Sequence, residues 1–144
     1  MTSWTSCSVG ERDHAAAWKA TLSAALPGPA SAYQPGDEEV AGNLPLSALP
    51  TRYALLWLTR GPVGPLRLTG DSPARQWRLI TRAVGRTLDQ AQWVRDELHL
   101  AVPGTRITPR STRARQDVRD EDWIRTADGE WVYADTEWLY EADD

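Results

Sequence analysis

Four arginines, Arg75, Arg78, Arg82 and Arg86, follow one another at intervals of three, four and four residues. On a helix this spacing lines them along one ridge, which Trp93 continues two turns further on. Guanidinium groups in line repel each other by roughly 0.2–0.5 kcal/mol per pair, so something negative is expected opposite them. Three answers compete. One is solvent with local pairs such as Arg86 and Asp89. Another is an acidic surface, either the chain's own C-terminal strand or another protein. The last is a phosphate or carboxylate ligand, which the planar Arg fork grips with two parallel hydrogen bonds. A second group, Trp123, Trp131 and Trp138 with Tyr133 and Tyr140, sits among carboxylates near the C-terminus. Such rings either fill a core or anchor an interface, where Trp, Tyr and Arg dominate the energetics.

Other chemistries lack their residues. Cys7 is the one cysteine, so no intramolecular disulfide can form, which fits a reducing cytoplasm. His14 and His99 are the two histidines, and no HxxxH, CxxC or DxDxDG pattern is present. The acidic run Asp117, Asp120, Glu121 and Asp122 is interrupted by Arg119 and has no glycine, so it reads as a solvated loop. No metal site and no cofactor are expected. The patterns GxSxG, GxxxxGK[ST] and GxGxxG are absent, which leaves serine-hydrolase and nucleotide-loop readings unsupported.

The elements that must position these groups follow from periodicity. A capping-box spacing, Ser8 to Glu11, predicts a helix start, and His14, Trp18, Leu22 and Ala25 then share one stripe up to Leu26-Pro27. Residues 27–50 hold five prolines and three glycines and read as a long loop. The run Thr51 to Arg60 alternates Tyr53, Leu55 and Trp57 with Ala54, Leu56 and Leu58. With both faces apolar, it is expected to be a central strand covered on both sides. Gly61 to Pro65 reads as a turn and Leu66 to Thr69 as a partner strand. Asp71-Ser72-Pro73 is a helix start, and the pattern predicts one long helix from there to about His99. A short strand is expected around Arg106 to Thr108, and 109–121 reads as a charged loop. Asp128-Gly129 between alternating apolar residues is a hairpin signal that calls for positive φ at both turn positions. The first strand of that hairpin lies in 122–127 and the second runs from Glu130 to about Glu141. Residues 1–7 and 141–144 read as loose ends.

Together these give an α+β fold: a mainly antiparallel sheet of four to five strands with two helices packed on it, in the order αββαβββ. The 144 residues suit a single domain, 1–144, that can enclose its own core. No apolar run reaches the roughly 18–20 residues of a membrane span, and the first residues lack the basic-then-apolar order of a secretory signal.

Charge is unevenly spread. Residues 117–144 hold eleven acids against Arg119 and Arg125, a net −9, while the rest of the chain is +5. Fifteen of the sixteen basic residues are Arg, and Phe is absent. GC-rich codon usage explains most of that bias, so Arg abundance alone is a weak sign of nucleic acid. The pI of about 5.2 and the acidic end argue against a duplex. Eight tryptophans exceed what a core of this size readily encloses, so at least one is expected on a binding surface.

The function expected from this pattern is a small cytoplasmic interaction or regulatory module. It docks another protein, a second copy of itself included, through the acidic Trp/Tyr hairpin, the Arg ridge, or both. The site residues are Arg75, Arg78, Arg82, Arg86, Trp93, Trp123, Trp131, Tyr133 and Trp138. The alternative is a small cofactor-independent enzyme or binding protein for an organic anion, its Arg- and Trp-lined pocket lying between helix and sheet. Whether the chain is an enzyme at all stays open at this point.

Overall fold

The structure is a computed structural model describing residues 10–26, 30–35, 37–40, 49–63, 75–109, 111–117 and 119–142. Its elements run in the order α1 (Glu11–Ala25), β1 (Ala32–Tyr33), β2 (Arg52–Val63), β3 (Arg75–Gly85), α2 (Leu88–Ala101), β4 (Arg115–Gln116), β5 (Ile124–Arg125) and β6 (Val132–Ala142), with a 3-10 turn at Glu38–Val40. The fold is α+β, as its pattern implies. The sheet has six strands, in the order β1-β2-β3-β6-β4, with β5 also on β6. Every pairing is antiparallel except β1 with β2.

Helix α1 forms on the expected stripe. His14, Trp18 and Leu22 are buried, and the Asp13 carboxylate accepts from the Gly10 backbone N–H at the helix start. Ser8 lies outside the described residues. Both helices cover the same face of the sheet. His14 stacks on Trp77 of β3 at 4.2 Å, its Nδ1 hydrogen-bonded to the Tyr140 hydroxyl at 2.8 Å. Val94 and Leu98 of α2 join Trp18, Leu56, Leu79, Trp138 and Tyr140 in one core. The Trp138 indole N–H donates to the Thr81 hydroxyl at 2.9 Å, which satisfies a polar atom inside that core.

The long helix expected from 73 to His99 is overturned. Its first half is the strand β3, and the helix proper starts only at Leu88, after the N-cap Thr87. The physical reason is the period. Trp77, Leu79, Thr81 and Ala83 alternate inward, with the β-branched Ile80, Thr81 and Val84 favouring extended backbone. Pairing on both sides, with β2 and β6, then overrides the arginine spacing. Gly85 ends β3 where α2 packs so close that a Cβ would lie 2.5 Å from the Ala91 nitrogen. The proposed start at Asp71-Ser72-Pro73 and the strand Leu66–Thr69 fall outside the described residues.

Other boundaries move less. β2 continues through Gly61 and Pro62, where the sequence reads as a turn. No strand forms around Arg106 to Thr108. Residues 111–117 and 119–125 are not a free loop but form a strap along β6. Ser111 bridges Ala142, β4 pairs with Trp138 and Leu139, and β5 pairs with Val132 and Tyr133. The β5–β6 hairpin forms at the expected place, but only Gly129 has positive φ (+74°), so Asp128 is not left-handed. The C-terminal end is no loose tail as far as Ala142, which is buried in the core.

Candidate functional site

Strand β2 is apolar on both faces, yet the described helices cover only the one carrying Ala54, Leu56 and Leu58. The other face of the sheet is free of described helices. It presents Tyr53, Leu55 and Trp57 from β2, Arg78, Ile80 and Arg82 from β3, and Tyr133, Asp135, Glu137 and Leu139 from β6. The register places Leu55, Arg82 and Asp135 in one row, with Trp57, Ile80 and Glu137 in the next. Sequence reading expects β2 to be covered on both sides. The described helices cover one, because both pack on the side of Ala54, Leu56 and Leu58.

Arg82 is the centre of this face. Its Nε and Nη2 donate to the two carboxylate oxygens of Asp135 at 2.7 and 3.1 Å, the paired geometry of a guanidinium–carboxylate fork. Its guanidinium carbon lies 4.3 Å from the Tyr133 ring centroid and 4.9 Å from that of Trp57. The Asp135 hydrogen bond holds the guanidinium pKa above its usual value, against the opposing effect of partial burial. Tyr53, at the same end, has its hydroxyl pKa pushed up by burial, with Arg82 pulling the other way. Arg78, further along the strand, reaches Asp117 at 3.8 Å and Glu137 at 3.9 Å, both loose contacts. Arg82 and Arg78 therefore face acids of the chain's own C-terminal strand, Asp135 and Glu137, but across a sheet rather than along a helix.

The expected site residues divide. Arg78, Arg82 and Tyr133 share the helix-free face. Trp131 stands at its end, edge-on to Tyr53, with the Arg86 guanidinium 5.1 Å above its ring. Arg75 is at the start of β3, donating to the Gly61 carbonyl at 3.2 Å. Trp93 is on α2, packed against the core with Arg52 at 3.7 Å over its ring. Trp123 is capped by Arg95 of α2 at 4.0 Å. Trp138 is fully buried on the helix side. Trp93, Trp123 and Trp138 therefore do not join the Arg82 group. Trp57 and Asp135 do join it, and sequence reading does not single them out. Trp57 carries a signal, an aromatic on the second apolar face of a strand; Asp135, 53 residues from Arg82, is marked only as one acid of the C-terminal strand.

The half-buried Trp57, Trp93, Trp123 and Trp131 each lie under a guanidinium, from Arg82, Arg52, Arg95 and Arg86 respectively. Each contact contributes on the order of 0.5–1 kcal/mol at such exposure. These four of the fifteen arginines thus have a local structural role.

Nothing of comparable chemistry gathers elsewhere among the described residues. No group of three or more His, Cys, Asp and Glu could hold a metal ion there. His99 and Asp120 are 2.9 Å apart, and Asp120 also accepts from Gln116 and Thr136. This cluster ties the strap to α2 and β6. Partial burial pushes the Asp120 carboxyl up, but the His99 hydrogen bond and charge, the Thr136 hydroxyl and Arg95 outweigh it, and the net shift is downward. The Asp37 and Asp128 carboxyls also lie below their ordinary value. A depression of about 200 Å³ lies at the far end of the helix-free face, lined by Thr59, Gly61, Gln76, Arg78 and Leu139. No helix among the described residues is long and apolar enough to cross a membrane.

No protein-family model matches the sequence, and no curated protein matches it. Among solved structures, a chain of "Virion of native gene transfer agent (GTA) particle" is similar over 90% of this chain and 92% of that one. The TM-score is 0.54 and the identity 13%, a likeness of fold alone.

Proposed function

We propose that this chain is a non-catalytic protein-interaction subunit that docks another polypeptide through the helix-free sheet face. Arg82 is the centre of the docking patch, and Trp57 and Tyr133 are its anchors. The observation that carries this reading is β2, an apolar strand on both sides that the described helices cover on only one. Sheet faces of that composition bury themselves against a second layer. An Arg fixed by a carboxylate and two rings loses little further freedom on docking, the condition under which such residues contribute most. The fold likeness to a chain from a virion particle agrees with a life among protein partners. A second copy of this chain meets the same requirement. The lone Cys7 suits a cytoplasmic setting.

The alternative, an organic-anion pocket between helix and sheet, has less support. Arg82 points away from the helices, and Asp135 already occupies its fork.

The test is affinity capture from the source cell with the intact chain, Trp57→Ala and Arg82→Glu. Each substitution removes a central anchor and is expected to cost about 2 kcal/mol or more, roughly a 30-fold loss of partner affinity. Circular dichroism must show both variants folded. If both capture the same partner as the unaltered chain at the same yield, the docking assignment fails.

A further inference from the structure

The charges of the helix-free face are sorted by strand. On that face β3 carries only cations, Arg78 and Arg82, and the adjacent β6 carries only anions, Asp135, Glu137 and Glu141. From this pattern we propose that the partner is a second copy of the chain, packed face to face about a two-fold axis parallel to the strands and lying between β3 and β6. The proposal rests on the reading of this face as a docking surface and names its occupant.

The axis follows from the register. Arg82 and Asp135 are direct cross-strand neighbours. Rotation about an axis between their strands lays β3 of one copy over β6 of the other. Arg82 of each copy then faces Asp135 of its mate, so each guanidinium has two carboxylates and each carboxylate two guanidiniums. Arg78, level with Leu139, comes over the interval between Glu137 and Glu141. An axis across the strands would instead lay β3 on β3 and β6 on β6, with Arg on Arg and acid on acid. Sheets that pack face to face keep their strands within about 30° of each other, which the parallel axis satisfies. A C2 interface must be self-complementary, and this face is so for one axis only.

The area suits a weak, reversible dimer. The three full-length strands β2, β3 and β6, about 4.8 Å apart over about ten residues, give a face of roughly 480 Å², and the two-residue strands β4 and β5 add to its margin. That lies below the roughly 800 Å² per partner of a standard-size interface, in the range of transient ones. Leu55, Trp57, Ile80 and Tyr133 supply its apolar component, and all are half-buried in the single chain.

The experiment uses complementary charge reversals and sedimentation equilibrium. The unaltered chain is expected to be a dimer. In Arg82→Glu the homodimer sets the introduced carboxylate against Asp135 of the mate, twice. In Asp135→Arg it sets the introduced guanidinium against Arg82 of the mate, twice. Like charges held opposite each other are costly, so each variant alone is expected to dissociate, with Kd raised about 100-fold or more. Mixed, the two restore both opposite-sign contacts and are expected to form a heterodimer. The double variant Arg82→Glu/Asp135→Arg restores both intrachain and interchain pairs and is expected to dimerise like the unaltered chain. Recovery in the mixture also shows that each single variant is folded. A double variant that recovers while the mixture stays monomeric means that only the intrachain pair matters, and overturns the axis. An unaltered chain that stays monomeric overturns the second copy but not the docking face, which the Trp57→Ala capture reads separately.

Discussion

Gly85→Ala isolates the close approach between sheet and helix. Gly85 closes β3, paired to Arg52 on one side and Val132 on the other. An added Cβ would meet the Ala91 nitrogen at 2.5 Å and the Gln90 carbonyl carbon at 2.9 Å. Both are backbone atoms of the first turn of α2, fixed there by the Ala91 N–H donating to the Thr87 carbonyl at 3.0 Å. No side-chain rotation relieves the contact. Ordinary separation begins near 3.4 Å, so the turn must lift by roughly 0.9 Å. Ala91 and Val94, both fully buried, lose contact as it does. Overpacking of this kind costs about 1–3 kcal/mol. Lower entropy of the unfolded chain returns roughly 0.4–1 kcal/mol. The net loss is about 1–2 kcal/mol, a fall in Tm of roughly 3–8 °C for a chain of this size. Thermal melting reads the fall, and amide exchange should localise it, with the first turn of α2 exchanging faster and the β3–β6 ladder unchanged. A variant that melts at or above the unaltered temperature would refute the argument from close packing.

Two further outcomes are expected. Thr81→Val keeps shape but removes the acceptor of the buried Trp138 indole N–H; it should lose about 1–3 kcal/mol, read as a lower urea midpoint at constant m, and an unchanged midpoint would show that the bond contributes nothing. The Asp120 carboxyl titrates below its ordinary value in the folded chain. Its contribution is therefore present above the unfolded pKa of about 3.9 and is lost as pH falls through the lower, folded value. Asp120→Asn should flatten the acid limb of a stability-versus-pH curve below about pH 4, and superimposable limbs would exclude this role.

What is legible in the sequence is local chemistry. The α1 stripe of His14, Trp18 and Leu22 needs only a period, and the Asp128-Gly129 hairpin needs only a turn. The β3 error shows where such reading ends. Arginines at three, four and four resemble a helix ridge, while Trp77, Leu79, Thr81 and Ala83 alternate in the same stretch with equal regularity. Only the flanking partners β2 and β6 decide between the two. A better signal for the true helix start is present in Thr87 and Gln90, the spacing of a cap, and the Thr87 hydroxyl does accept from the Gln90 N–H. The candidate site is half visible. Sequence reading names Arg82 and Tyr133, and an acidic C-terminal strand is one of the counterparts it offers the arginines. Trp57 and Asp135 depend on which sheet face the helices leave bare, and that follows from three-dimensional packing rather than from any run of residues.

The two flanks of the sheet are finished differently. Along β6 the strap from Ser111 to Arg125 returns three times to cover the outer backbone. Along β2, by contrast, β1 reaches only Ala54 and Leu55 among the described residues, and Pro62 further on has no N–H to offer. Among the described residues the two margins therefore differ: β6 is closed by the strap, while β2 is paired on its outer side only at Ala54 and Leu55. A margin shortened by a two-residue partner and interrupted by a proline is a poor template for edge-to-edge growth, which protects a sheet with half-buried aromatics from running into fibres.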